Sequence, residues 1–163
     1  MAQQISIFEG KSNSPCILFP FSENTNLESY EIEFNIYPSG FGKLLIASTN
    51  IGICKVSLFD DEKTIIEEME LEFPMAQFIK TTNDFHLSAL QIIGGKLDFE
   101  NPIPMHVKGS AFQIRIWHLL LQIPFGSTRT YGDLAMQIGQ KNAARAVGTA
   151  IGKNPVAIFN PMS

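Results

Sequence analysis

Charge is scarce in this chain: only 17% of its 163 residues are Asp, Glu, Lys or Arg, while 45% are hydrophobic. That balance excludes a disordered protein, because enough apolar surface is present to offset the entropy of ordering the chain. Cysteine is scarcer still. Cys16 and Cys54 form no CxxC, and His86, His106 and His118 stand far apart, so zinc-ligand spacing is missing and no metal is expected. Cys54 falls in Ile53-Cys54-Lys55-Val56, where alternation puts it on a strand as a small buried hydrophobe rather than a reactive thiol. No run approaches the roughly 18 apolar residues of a membrane span. The opening MAQQISIFEGKSNS also lacks a basic stretch followed by an apolar one, so a cytoplasmic protein with no membrane partner is expected. Internal repeats and low-complexity segments are absent.

What is present is a charge split. The net charge of −4 conceals seven Lys/Arg against fifteen Asp/Glu in residues 1–108, and Arg115, Arg129, Lys141, Arg145 and Lys153 against Asp133 alone in residues 109–163. The two parts therefore carry −8 and +4. Polyanion affinity depends on the local charge that faces the polyanion, which makes the second part the candidate surface for one.

The first part reads as a small sheet with helices. Tyr30, Ile32, Phe34 and Ile36 alternate with Glu31, Glu33 and Asn35, the period of a strand with one buried face. Pro38-Ser39-Gly40 is expected to turn the chain into Lys43–Ala47, and Thr49-Asn50-Ile51-Gly52 into Ile53–Phe59, giving three antiparallel strands. Helices are expected over Asp61–Phe73 and Phe85–Ile93. Residues 1–29 are an unassigned N-terminal extension, 30–108 an α/β domain and 109–163 a second, all-α domain.

Three helices follow in that second domain. Ser110 with Gln113 makes a capping box, and Phe112, Ile116, Leu119, Leu120 and Ile123 mark the buried stripe, with Trp117 also assigned to the core. Pro124-Phe125-Gly126 ends this helix. Thr130 with Asp133 opens a second that carries Leu134, Ala135 and Ile138 inward and stops at Gly139. Asn142 can cap a third, Ala143–Ile151, ended by Gly152 and Pro155. Two short helices joined by a tight turn, the second small and basic, read as a helix-turn-helix. In that last helix Ala143, Ala144, Ala146 and Gly148 are small, and Arg145 projects beyond them. Composition leaves close helix packing and minor-groove docking equally open.

From Gly109 onward, GSAFQIRIWHLLLQIPFGSTRTYGDLAMQIGQKNAARAVGTAIGKNPVAIF resembles the C-terminal domain of the methylated-DNA–protein-cysteine methyltransferases. The resemblance implies an α+β protein, a ribonuclease-H-like domain followed by a winged-helix-like helix-turn-helix domain. It implies a monomer, free of cofactors, that binds double-stranded DNA through the minor groove and repairs O6-alkylguanine by a one-turnover transfer of the alkyl group to Cys. DNA would be met by Thr130, Tyr131, Ala143, Ala144, Arg145 and Gly148. Arg145 matches the finger that fills the space left by a flipped nucleotide, and Tyr131 the tyrosine that crowds the target phosphate and hydrogen-bonds the base. With Tyr131, Ile151, Asn154, Pro155 and Val156 would line the base pocket, Asn154 tying its turn together.

The sequence departs from the family at the reactive motif. Where Ile-Pro-Cys-His-Arg is the pattern, it has Asn160, Pro161, Met162 and Ser163, with Met162 at the acceptor position and Ser163 at that of the relay His. One base inserted before ATC CCA TGT CAT AGA gives AAT CCC ATG TCA TAG, which reads Asn-Pro-Met-Ser-stop. A single-base insertion, loss of the tail and loss of alkyl transfer are therefore expected, with Ile158 and Phe159 partly exposed. The alternative is a non-catalytic alkyltransferase-like lesion binder, and a helix-turn-helix regulator ranks last, because small residues suit lesion search better than base-edge readout.

Overall fold

The alternating run from Tyr30 extends further than its pattern. In the computed structural model, which describes residues 14–22, 29–96, 100–123 and 129–154, it forms β2 (Tyr30–Ser39). This strand pairs antiparallel with β3 (Gly42–Ser48), and β3 with β4 (Ile53–Phe59). The first turn lies later than expected: Pro38 and Ser39 stay in the strand opposite Lys43 and Gly42, and Gly40-Phe41 reverses the chain. Pro38 is tolerated because the other edge of β2 has a strand partner only from Tyr30 to Phe34.

The sheet has six strands rather than the expected three. Its order is β1-β6-β4-β3-β2-β5, with β1 (Cys16–Pro20), β5 (Ala76–Lys80) and β6 (Ile103–Val107) all paired in parallel. Each added strand has five residues and no clean alternation, and β6 contains Pro104. β1 comes from the stretch that the sequence left unassigned, and it is joined to β6 along Cys16–Pro20.

Both faces of the sheet are covered. On one, Ile32, Phe34, Leu45, Ala47 and Cys54 pack with Ile65, Met69 and Phe73 of and just after α1 (Glu62–Glu72), whose N-cap Asp61 accepts from the Thr64 amide at 3.0 Å. On the other, Leu44, Ile46, Ile53 and Met105 pack with Ala89 of α2 (Asp84–Ile93) and with Ile116, Trp117 and Leu120 of α3 (Ala111–Gln122). The same cluster continues into α4 (Tyr131–Gln137) and α5 (Ala144–Gly152) through Leu134, Ala135, Val147 and Ala150. One apolar core thus carries the last two helices on the sheet.

α3 departs from its expected stripe. It buries Ile114, Ile116, Trp117, Leu120 and Leu121 with Ile123 beyond its end, and leaves Phe112 and Leu119 only half-buried. The reason is that it packs on two sides, against β1 and against α5. Pro124-Phe125-Gly126 lies outside the described residues.

Candidate nucleic-acid interface

α4 begins on a local signal. The Thr130 hydroxyl accepts from the Asp133 amide and the Asp133 carboxylate accepts from the Thr130 amide, both at 3.0 Å. Hydrogen bonding of the carboxylate by Thr130, from its amide first and its side chain second, holds the Asp133 carboxyl below the ordinary aspartate range. The acid of the basic segment is therefore committed to a helix N-terminus. Past the C-cap Ile138, Gly139 takes a φ of 74°, a left-handed value that suits glycine and closes the turn.

α5 starts differently from the expectation. Ala143 holds the N-cap position with no side-chain bond, and Asn142 is exposed one residue too early to serve. The turn is closed by backbone instead, the Ala143 amide donating to the Gln140 carbonyl at 2.9 Å. Gly152 is the last helical residue and Lys153 the C-cap.

Two faces of α5 divide by size and polarity. Val147 and Ala150 are buried, while Arg145, Ala146, Thr149 and Gly152 are exposed. Among the described residues no ion pair holds the Arg145 guanidinium. One turn on, the Thr149 hydroxyl donates to the Arg145 carbonyl at 3.1 Å, so its polar group is engaged with the helix backbone. Ala143 and Ala144 are half-buried at the start of the helix.

Tyr131 comes to this face from α4. It is 47% exposed, and its ring lies so near Gly148 that a Cβ there would stand 2.9 Å from Cε2. Tyr131 and Gly148 thus meet where α4 and α5 adjoin, with Thr130 at the N-cap of α4 and Arg145 three residues before Gly148 on α5. Ile151 and Asn154 lie at the far end of α5, half-buried and 9% exposed, with the Asn154 amide donating to the Ile151 carbonyl at 3.2 Å. That end is fixed from below, where Trp117 Nε1 donates to the Ala150 carbonyl at 2.8 Å. Pro155, Val156, Ile158, Phe159, Met162 and Ser163 lie outside the described residues.

Neither cysteine is placed for reaction. Both are buried, and burial pushes the Cys16 thiol up to about 12 and the Cys54 thiol higher still. His86 bridges Tyr37 and Ser48 at 2.8 and 3.0 Å inside the core, without contact to solvent, a network that joins α2 to the sheet. Among the described residues no group of three His, Cys, Asp or Glu could hold a metal ion, and no helix is long and apolar enough to cross a membrane.

Residues 111–162 match the DNA-binding domain of 6-O-methylguanine DNA methyltransferase. A probable methylated-DNA–protein-cysteine methyltransferase of Acanthamoeba polyphaga mimivirus is 38% identical over 120 residues, which cover 73% of this chain and 78% of that protein. The methylated-DNA–protein-cysteine methyltransferase of Haemophilus influenzae is 32% identical over 128 residues, 78% of this chain and 69% of that one. The Mycobacterium tuberculosis enzyme crystallised in complex with DNA superposes with a TM-score of 0.58 at 28% identity, over 77% of this chain and 74% of that one.

Proposed function

The chain belongs to the methylated-DNA–protein-cysteine methyltransferase family, and on that premise we propose that its 163 residues recognise O6-alkylguanine in duplex DNA without accepting the alkyl group. The observation that carries this reading is the exposed Arg145, without an ion pair among the described residues, on the small-residue face of α5, beside Tyr131 packed on Gly148. α4 and α5 act as a helix-turn-helix whose second helix enters the minor groove. Ala146, Gly148 and Thr149 let its backbone approach the groove floor, and Ala143 and Ala144 start it along the same path.

Extruding a base costs a few kcal/mol of stacking and pairing. A planar cation that enters the vacated stack offsets part of that cost, and Arg145 supplies it. Tyr131 crowds the phosphate of the extruded nucleotide, with Thr130 beside it. The base then enters a pocket lined by Tyr131, Ile151 and Asn154.

Transfer itself requires a thiolate that attacks the alkyl carbon, so that the carbon–oxygen bond to guanine O6 breaks as the carbon–sulfur bond forms. At the acceptor position stands Met162, a thioether with no proton to lose, and Ser163 replaces the relay base. Cys16 and Cys54 offer no substitute, being buried and held protonated. On this reading the chain does not turn over, and it binds DNA as a monomer without a cofactor. One base inserted ahead of a family-type motif would encode Asn160–Ser163, and resequencing the gene across the Phe159 codon tests this.

Two measurements test the function. Incubation with duplex carrying radiolabelled O6-methylguanine should leave the protein unlabelled, and stoichiometric label on Cys16 or Cys54 would overturn the assignment. Titration with lesion and intact duplexes should show Arg145→Ala weakening the lesion complex more than the intact one, since stack filling matters only when a base is out. An equal loss on both would reduce Arg145 to a phosphate contact.

A further inference from the structure

A cleft of about 650 Å3 opens where the C-terminal end of α5 meets α1 and β4. Its charged lining residues are Lys55, Glu72, Lys108 and Lys153. Lys55 and Glu72 cancel: the buried Lys55 ammonium lies 2.6 Å from Glu72 Oε1. Lys108 is held by neutral groups, donating to the Glu72 main-chain carbonyl at 2.8 Å with its Nζ 6.0 Å from the centre of the Phe73 ring. Its charge is therefore positioned but not neutralised. Lys153 is exposed and has no ion pair among the described residues. Among the described residues the cleft thus presents two positive charges, on Lys108 and Lys153, that no ion pair compensates.

This cleft is continuous with the face that carries Arg145. Arg145, Thr149 and Lys153 recur every four residues and are all exposed, so they form one slowly turning stripe along α5 and its C-cap. At 1.5 Å per residue, Lys153 stands about 12 Å along the axis from Arg145. B-DNA carries about one phosphate charge per 1.7 Å of its axis, so a duplex seated at Arg145 has several phosphates within that distance. Elsewhere the first part of the chain repels DNA, and α1 exposes Glu67, Glu68 and Glu70. Those acids stop the strand from running on over α1, which leaves the Lys108–Lys153 side of the cleft as the place where it can be held.

We infer that Lys108 and Lys153 form a second backbone contact, gripping phosphates of the duplex strand that leaves the C-terminal end of α5. The inference rests on the reading of α5 as a duplex-binding helix. It adds a contact from the segment before α3, outside the two helices that meet the lesion.

The test is a set of fluorescence-anisotropy titrations of labelled duplex against the whole chain over a series of NaCl concentrations. Each phosphate contact contributes about 0.9 to the slope of log affinity against log salt. The paired variant Lys108→Gln/Lys153→Gln should flatten that slope by about 1.8, and Lys153→Gln alone by about 0.9. Lys43→Gln, which removes one exposed charge at the start of β3 opposite Phe59, away from the cleft lining, should leave the slope unchanged. Equal slopes for the paired variant and Lys43→Gln would overturn the inference while leaving the α5 reading in place. A parent chain that binds no duplex at the lowest salt would instead overturn that reading, and this inference with it. Should the paired variant melt early through loss of the Lys108 bond to Glu72, Lys153→Gln carries the test alone.

Discussion

Replacing Gly148 by Ala separates stability from recognition at one atom. The new Cβ would stand 2.9 Å from Cε2 and 3.0 Å from Cδ2 of Tyr131, inside the roughly 3.5 Å at which carbon atoms normally touch. The ring must move by about half an ångström or more. Because Tyr131 is 47% exposed, it can swing toward solvent, at about 0.5–1.5 kcal/mol for a side chain pushed off its rotamer. Against this, Ala in mid-helix is favoured over Gly by about 0.5–1 kcal/mol. The two nearly cancel, so Tm should move by no more than about 4 °C in either direction. Recognition has no such compensation, since the displaced ring is the one proposed to crowd the target phosphate. Affinity for O6-methylguanine duplex should fall about tenfold, a loss of about 1.4 kcal/mol, with a smaller loss on intact duplex. Differential scanning fluorimetry and anisotropy titration on the same samples read the two effects. Unchanged lesion affinity at an unchanged Tm would refute the role given to this contact, and a Tm drop beyond about 8 °C would show that the ring is structural.

Gly109→Ala makes the opposite case. Its Cβ would lie 2.7 and 2.8 Å from Cη2 and Cζ3 of Trp117, a ring only 2% exposed and tethered to the Ala150 carbonyl, so a loss of about 1–3 kcal/mol is expected in urea unfolding, and an unchanged midpoint would show that the ring has room to move. Stability should also fall with acid. Burial holds His106 down to about 4 and keeps His86 and His118 below their ordinary 6.5, so the unfolded chain takes up protons that the folded one refuses. The contribution is complete above about pH 6.5 and is lost between there and about 4, whereas Asp61 and Asp133, lowered from 3.8, lose theirs only below that range. Urea midpoints at pH 7.5 and 5 check this, and His106→Gln should flatten the difference; a parent midpoint unchanged between those two pH values would rule the coupling out.

Features decided within four residues of chain were readable before any coordinates. The boxes Ser110/Gln113 and Thr130/Asp133 need only a side-chain oxygen and an amide three residues apart, and both form as written. A residue of capping type misleads where the backbone closes the turn by itself: Asn142 reads as a cap, but the bond from the Ala143 amide to the Gln140 carbonyl closes the turn without it. β1, β5 and β6 were not readable. Parallel pairing joins residues as distant as Cys16 and Ile103, and five-residue strands bearing Pro20 or Pro104 give no alternation to detect. Arg145 stood out because everything around it is small, a contrast that a sequence displays. Its setting did not, since Tyr131 and Gly148 meet only through the crossing of α4 and α5, and Lys108 and Lys153 share a cleft across 45 positions that no spacing rule connects. The glycines make the limit plain. Gly109, Gly139 and Gly148 are one letter in sequence, but Gly139 is required by a backbone angle and the other two by the approach of an aromatic ring. The substitutions at Gly109 and Gly148 therefore divide by how firmly that ring is held: Trp117 is buried and tethered and Tyr131 is half exposed, so the same change should destabilise the fold at one position and blunt recognition at the other.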